Sequence, residues 1–387
     1  MLITRIATVA VAALASAAAI ATVSGAAAPS HHHHHQLQAG AAAAGGVTRT
    51  YYIAADEVDW NYAPQGRNMI TGEAFDDTAN VFVKQGVHRI GSTYRKALYR
   101  EYTDATFTHL KPVAPEWRHL GTLGPAIRAS VGDTIRVVFR NNASQPYSIH
   151  AHGVKYAKNG EGAPYNDGTA GANKADDAVA PGQTFTYVWD VPERAGPGPH
   201  DENSVMWMYH SHVDEIKDTN SGLMGPMIIT AAGQAQPDGR PVGVDREFVA
   251  NFTVSNENQS WYLDDNIRRF ADDPAGTNPD DEAFAESNLM HSINGYVYGN
   301  QPMMKAKAGE HVRWYVMAMG TEVDLHTPHW HGTTVTSMGM RTDVVDLLPA
   351  GMKTADMVAD NTGIWLFHCH VNDHIAAGMA TRYQVSP

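Results

Sequence analysis

The chain has 387 residues, 43% of them hydrophobic and 18% charged, which supports packed cores, and its length is typical of two domains. Its formal net charge of −13 excludes a nucleic-acid partner, because a polyanion would be repelled and no basic stripe offsets the charge. One cysteine excludes an intramolecular disulfide framework, whereas 21 histidines indicate imidazole chemistry.

The N-terminus has the layout of a secretory signal peptide. An apolar stretch over residues 6–23 follows Arg5 and ends in small residues. We predict a signal peptide over 1–28, cleavage, a secreted or periplasmic protein and no membrane span after cleavage; the alternative is an uncleaved membrane anchor. His31–His35 lie in a predicted disordered tail, 29–46, where a purification tag or tail is a better explanation than a metal-delivery arm.

The rest of the chain reads as short β-type runs separated by Gly, Pro, Asn and Asp, as in residues 134–142. No long helical periodicity competes with this pattern, so we predict an all-β protein with sandwich or barrel domains. A Gly- and Pro-containing stretch over 233–245 is typical of an inter-domain linker. It divides the chain into domain 1, residues 47–232, and domain 2, residues 246–387.

The two halves resemble each other. A Gly-Asp/Glu turn and a β-type run precede a His-x-His-Gly motif in each half, and each half later has a second His-x-His motif. The four motifs contain His150 and His152, His210 and His212, His329 and His331, and His368 and His370. Residues i and i+2 of a strand point to one face, about 6.6 Å apart, so each pair presents two imidazoles together. Eight such histidines predict a metal site, for which copper, zinc and iron are all suitable.

The single cysteine favours copper. Cys369 lies between His368 and His370, so its sulfur points to the opposite face of the strand from their rings. His374 and Met379 follow, and His326 precedes the third motif. Two histidines, a thiolate and a weak thioether form a blue-copper electron-transfer site; the alternative is an inert buried cysteine.

The first half lacks every ligand of this thiolate site. Ser211, Ile216, Ser221 and Tyr147 occupy the positions that match Cys369, His374, Met379 and His326. We therefore predict one electron-entry site in domain 2 and a histidine cluster that draws on both domains. The tripeptide His368-Cys369-His370 joins the two sites. A one-electron acceptor connected to a multi-copper cluster is what four-electron reduction of O2 to water requires.

The four motifs resemble those of multicopper oxidases, and the arrangement resembles the two-domain kind, the small laccases. The resemblance implies cupredoxin-like Greek-key domains and four coppers per subunit equivalent: one type 1, one type 2 and two type 3. It also implies a homotrimer, with the cluster between domain 1 of one subunit and domain 2 of its neighbour. The implied type 1 ligands are His326, Cys369, His374 and axial Met379; those of type 2 are His150 and His329; those of type 3 are His152, His210, His212, His331, His368 and His370.

Other stretches, such as 260–267 and 290–295, resemble ceruloplasmin and its relatives. In ceruloplasmin-like ferroxidases an iron site lies beside the type 1 copper, and the matching positions are Glu286, His291 and Asp373. The alternative for the first two is a solvated acidic loop with an incidental histidine. Asp324, two residues before a type 1 ligand, adds charge or orients that ligand.

The sequence thus predicts a copper-dependent oxidase with O2 as acceptor and Fe(II) as the favoured donor. Phenols and Cu(I) are alternative donors. A two-domain copper nitrite reductase is disfavoured, because it places the thiolate site in the first domain. A binding scaffold is disfavoured because it would not need all of these ligands.

Overall fold

Strands account for most of the regular structure in residues 46–387, which this computed structural model describes. The all-β prediction is confirmed, whereas the predicted signal peptide and the histidine run lie outside the described residues. Among the described residues, no helix is long and apolar enough to cross a membrane.

The strands of the first half form two four-stranded sheets, in the orders β2-β1-β4-β6 and β3-β8-β7-β5. These strands are β1 (Thr48–Asn61), β2 (Thr93–Tyr102), β3 (Ile127–Ser130), β4 (Thr134–Asn141), β5 (His150–Ala151), β6 (Thr184–Asp190), β7 (Ser204–His210) and β8 (Met224–Thr230). Strands β1 and β4 are parallel, whereas β1 pairs with β2 in antiparallel register.

The strands of the second half form a six-stranded sheet, β10-β9-β12-β16-β14-β15, and a four-stranded sheet, β11-β18-β17-β13. These strands are β9 (Arg246–Asn256), β10 (Leu289–Ile293), β11 (Met304–Lys307), β12 (His311–Ala318), β13 (Pro328–Trp330), β14 (Val335–Ser337), β15 (Met340–Thr342), β16 (Met352–Val358), β17 (Gly363–Cys369) and β18 (Ala380–Ser386). Each of the four sheets draws its strands from one half of the chain; the domain boundaries themselves stay a prediction.

Five short α-helices lie between the strands of residues 46–387. They are α1 (Ala79–Val83), α2 (Glu215–Ser221), α3 (Leu263–Phe270), α4 (Glu282–Ser287) and α5 (Asn372–Ala376). Asp281 caps α4 by accepting the Phe284 N–H, as expected of an N-cap aspartate. Helix α5 follows β17 closely and carries His374 back towards the end of that strand.

The core of the second half lies between its two sheets and decides which way the motif side chains point. Alternation along β17 sends Phe367 and Cys369 into this core, where they pack near Trp314 and Trp330. The intervening residue, His368, therefore faces the other side of the strand. The strand thus separates the thiol from the imidazoles, as its sequence predicts.

The long segment of the first half from Asp56 to Leu120 contacts the second half through His119. The His119 Nε2 atom accepts the Val249 N–H at 3.0 Å, and its backbone carbonyl accepts an Asn294 side-chain N–H at 2.7 Å. His119 Nδ1 donates to the Glu116 carbonyl at 2.7 Å. The segment therefore extends a sheet and also attaches to the other half of the chain.

Candidate metal centres

Two imidazoles and one thiol converge at one end of the second-half core. His326 lies just before β13, Cys369 ends β17 and His374 lies in α5. Cys369 Sγ is 3.8 Å from His326 Nδ1 and 3.7 Å from His374 Nδ1, and the two Nδ1 atoms are 3.1 Å apart. All three side chains are buried. The three could hold one metal ion in a site closed to solvent.

The electrostatics of this cluster favour a metal-binding thiolate. Burial alone would raise the pKa of the Cys369 thiol, but hydrogen bonds from His326 and His374 outweigh burial and lower this pKa to about 6. The Thr327 backbone N–H also donates to Sγ, at 3.4 Å. Since the thiolate is the form that binds metals, the surroundings prepare the sulfur as a ligand.

The donor set fits copper. Metal–nitrogen and metal–thiolate bonds of about 2.0 and 2.3 Å place two ligand atoms of one ion roughly 3.3 to 3.8 Å apart, close to the separations found here. A His2Cys set with a weak axial methionine is the ligand set of blue-copper sites. Met379 is fully buried, and its backbone N–H donates to the His374 carbonyl at 2.9 Å. Its carbonyl accepts the Cys369 N–H at 3.1 Å, so the backbone fixes Met379 beside both of these residues.

The four histidines of the two His-x-His motifs in the second half form a separate set beside β13 and β17. They are His329, His331, His368 and His370. His331 Nε2 lies 3.1 Å from His368 Nε2. His329 Nδ1 donates to the Asp343 carbonyl at 3.0 Å, and His368 Nδ1 donates to the Cys369 carbonyl at 2.7 Å. Both rings therefore keep Nε2 for another partner, and His329, His331 and His368 could together hold a metal ion.

The first half repeats this arrangement beside β5 and β7. Its members are His150, His152, His210 and His212. His152 Nε2 lies 3.1 Å from His210 Nε2, as in the second half. His150 Nδ1 donates to the Glu161 carbonyl at 2.7 Å, and His210 Nδ1 donates to the Ser211 carbonyl at 3.0 Å. Burial, together with neighbouring imidazoles, lowers the pKa of His152 and of His210 to about 4, which keeps both in the neutral form that binds metals.

The two sets stay apart within one chain. His150 packs against His152, His210 and His212, with ring centroids 5.2 to 5.6 Å apart. His329 makes the same three kinds of contact in its own set, at 4.8 to 5.4 Å. Across residues 46–387, no ring contact joins a histidine of one set to a histidine of the other. Each half of the chain therefore presents half of an eight-histidine constellation.

The predicted iron-binding residues are brought together only in part. The His291 ring lies against His374, with centroids 5.3 Å apart, and its Nδ1 donates to the Leu289 carbonyl at 2.9 Å. Asp373 is exposed at the start of α5, and its charge acts on His291. Glu286 is exposed near the end of α4, and within the described residues no hydrogen bond or ion pair joins it to the other two.

Sequence reasoning missed the carbonyl groups that orient His150 and His329, because a backbone carbonyl leaves no signal in the sequence. It also missed Glu215, whose Oε2 lies 3.3 Å from His212 Nε2. A signal for Glu215 was present, since it follows its His-x-His motif by the same spacing as Asp373 follows the corresponding motif of the second half.

Two family models with the description Multicopper oxidase match the chain, at residues 120–234 and 272–387, together more than half of its length. The chain is 49% identical over 342 residues to ferroxidase HEPHL1 of Homo sapiens, covering 88% of this chain and 29% of that protein. It is 45% identical to hephaestin of Rattus norvegicus and 44% identical to ceruloplasmin of Homo sapiens, covering 87% of this chain in each case and 29% and 30% of those proteins. The chain thus spans under a third of the length of these relatives.

Solved structures share the fold at lower identity. A structure titled as a multicopper oxidase matches with a TM-score of 0.54 and 20% identity, over 88% of this chain and 89% of that one. A copper nitrite reductase from Nitrosomonas europaea matches with a TM-score of 0.55 and 17% identity, over 88% of this chain and 94% of that one. At these identities the likeness shows the cupredoxin fold and leaves the reaction open.

Proposed function

Because this chain belongs to the multicopper oxidase family, we propose that it couples the oxidation of Fe(II) to the reduction of O2 to water. Its identity of 44% to 49% to proteins named ferroxidase HEPHL1, hephaestin and ceruloplasmin supports Fe(II) as the donor. We also propose that the protein is exported from the cell's cytoplasm, as its N-terminal sequence predicts.

The observation that carries the proposal is the position of Cys369 between the two groups of ligands. Its sulfur points to His326 and His374, whereas its carbonyl accepts from His368 Nδ1, a member of the histidine set. Copper, when bound, supplies one-electron acceptance at the thiolate site and O2 reduction at the histidine cluster. The tripeptide His368-Cys369-His370 provides a covalent route of one residue between these sites.

We propose that a complete histidine cluster forms between copies of the chain. Each copy presents two half-sets that do not meet within it, and the eight histidines match type 2 and type 3 ligands in the family resemblance. Closed cyclic symmetry with a heterologous interface would bring the first-half set of one copy against the second-half set of the next. A homotrimer with one type 1, one type 2 and two type 3 coppers per subunit equivalent is the arrangement that we propose.

The donor site that we propose lies beside His374. His291 Nδ1 is committed to the Leu289 carbonyl, which leaves Nε2 available for a metal substrate. The exposed carboxylates of Glu286 and Asp373 provide oxygen ligands on the solvent side. Carboxylates bind Fe(III) more tightly than Fe(II), so they make bound iron a stronger reductant.

Phenols and Cu(I) are alternative donors. The fold likeness to a copper nitrite reductase does not favour that reaction, because the thiolate cluster lies in the second half of this chain.

Oxygen consumption by the copper-loaded protein tests the donor, with Fe(II) and a methoxyphenol as substrates. We expect faster turnover with Fe(II), and in Glu286→Ala a loss of at least tenfold with Fe(II) while phenol turnover is unchanged. Glu282→Ala is the matched control, since Glu282 is an exposed carboxylate on the same helix. Equal Fe(II) turnover in wild type and Glu286→Ala, with phenol as the better donor, would contradict the iron site and favour a laccase.

A further inference from the structure

Asp324 is buried next to the thiolate cluster and contacts one of its ligands. The Nε2–H group of His326 donates to Asp324 Oδ1 at 3.2 Å, on the side of the ring opposite the thiol. The two side chains are 0% and 3% exposed. The carboxylate is therefore shielded from water, and its interaction with His326 is weakly screened.

The backbone around Asp324 holds this carboxylate in place. The Val254 N–H donates to Oδ1 at 2.8 Å, and the Thr321 N–H donates to Oδ2 at 2.8 Å. Gly320, with φ +139°, permits the tight loop, because a Cβ atom there would lie 2.1 Å from Asp324 Oδ2. The loop is thus shaped around the carboxylate, as expected of a group that orients another residue.

The hydrogen bond to Asp324 determines which nitrogen of His326 faces the cluster. With Nε2 committed to the carboxylate, Nδ1 is directed towards Cys369 Sγ and His374 Nδ1. Outer carboxylates that hold metal-binding imidazoles in this way fix the tautomer and make the ligand more basic. Within the described residues, no lysine or arginine pairs with Asp324, and its ion-pair contact there is with His326 itself.

We propose that Asp324 is a positioning residue that orients His326 and lowers the reduction potential of copper at the thiolate site. A fixed negative charge beside the ligands favours Cu(II) over Cu(I), because Cu(II) carries the larger positive charge. The proposal rests on the proposed function of His326, Cys369 and His374 as copper ligands.

Redox titration of the copper-loaded protein, followed by the absorption of the thiolate–copper bond, tests this role. In Asp324→Asn, the amide oxygen can still accept from His326 and Val254, whereas the charge and the acceptor for the Thr321 N–H are gone. We expect an unchanged absorption maximum and a shift of the Cu(II)/Cu(I) equilibrium towards Cu(I) of tenfold or more, or at least ~59 mV for one electron. In Asp324→Ala, we expect an altered spectrum and a loss of copper affinity of about 10- to 100-fold.

Glu322→Gln is the matched control, because it removes an exposed carboxylate from the same loop. An unchanged potential in Asp324→Asn, or an equal shift in the control, would overturn the role of Asp324. Absence of the absorption band in the copper-loaded wild type would instead overturn the thiolate copper site itself, which separates the two failures. If Asp324→Ala does not fold, Asp324→Asn still decides the effect of the charge.

Discussion

The hydroxyl of Ser211 donates to the Asp218 carboxylate at 2.6 Å, at the position of the first half that matches Cys369 in the second. Tyr147 occupies the position that matches His326, and its hydroxyl lies 3.1 Å from the hydroxyl of Tyr262. Both groups are buried. A network of neutral and acidic oxygen atoms thus takes the place of the thiolate cluster in the first half.

This replacement predicts that a cysteine alone cannot restore a blue-copper site in the first half. In the double variant Cys369→Ser and Ser211→Cys, we expect no thiolate–copper absorption, because Tyr147 and Ile216 supply no imidazole. We also expect Ser211→Cys to lower the free energy of unfolding by about 1 to 3 kcal/mol, since Asp218 loses a short hydrogen bond. Absorption spectra and urea unfolding measure these effects. A blue band in the double variant would contradict the prediction.

Assembly of the histidine cluster between copies predicts complementation between inactive variants. His152→Ala disables the first-half set and His331→Ala disables the second-half set, so each homogeneous assembly should lack O2 reduction. Co-expression should restore part of the activity, because an intact first half of one variant meets an intact second half of the other.

The control is co-expression of His331→Ala with His368→Ala, which both damage the second-half set and should restore nothing. Oxygen consumption and sedimentation of the mixed assemblies provide the measurement. No recovery in the first pair, in assemblies shown to contain both chains, would place a complete cluster within one copy.

His119 predicts a pH-dependent stability that does not involve the metal centres. Burial lowers the pKa of His119 to about 4, although its hydrogen bond to Glu116 opposes this shift. In the folded chain, His119 Nε2 accepts the Val249 N–H. Protonation of Nε2 would place a second N–H group against this one and remove the hydrogen bond. The unfolded chain binds a proton at this histidine below the ordinary pKa of about 6.5, whereas the folded chain does so only near pH 4. The free energy of unfolding therefore falls between pH 6.5 and 4, by about 3 kcal/mol in total.

Denaturant unfolding of the metal-free protein at several pH values measures this effect. We expect His119→Gln to be less stable than wild type at pH 7 and to lose less stability on acidification. His109→Gln is the control, because His109 is an exposed histidine of the same segment and should leave the pH dependence unchanged. An unchanged slope in His119→Gln would show that this histidine does not couple folding to pH.

The thiolate cluster of His326, Cys369 and His374 could be predicted from the sequence, because short-range sequence patterns specify it. Strand alternation alone places Cys369 and His368 on opposite faces, and short spacing brings His374 back within one helical turn. The repeated His-x-His motif was enough to predict that His326 lies beside this strand. The structure brings the three side chains close enough together to bind one metal ion, whereas their role as copper ligands stays a proposal.

Contacts that depend on folded loops could not be read in this way. Sequence reasoning left open whether Asp324 adds charge or orients a ligand, and only the folded loop shows that its carboxylate reaches His326. The contact between His119 and Val249 joins residues far apart in the chain, with no periodic pattern to indicate it. Glu286 and His291 are close in sequence, yet the turn between α4 and β10 leaves one exposed and the other buried.

Trp330 lies between His329 and His331 in the sequence and points the opposite way, into the core. It packs against Phe367 and Trp314, with ring centroids 5.0 and 5.8 Å apart. The proposed ligands are thus carried on strands whose inner faces are held by tightly packed aromatic rings, and such a core resists deformation. If the proposed copper ligation holds, we expect a ligand set supported in this way to keep its geometry when the bound metal changes oxidation state, with little structural reorganisation in each electron transfer.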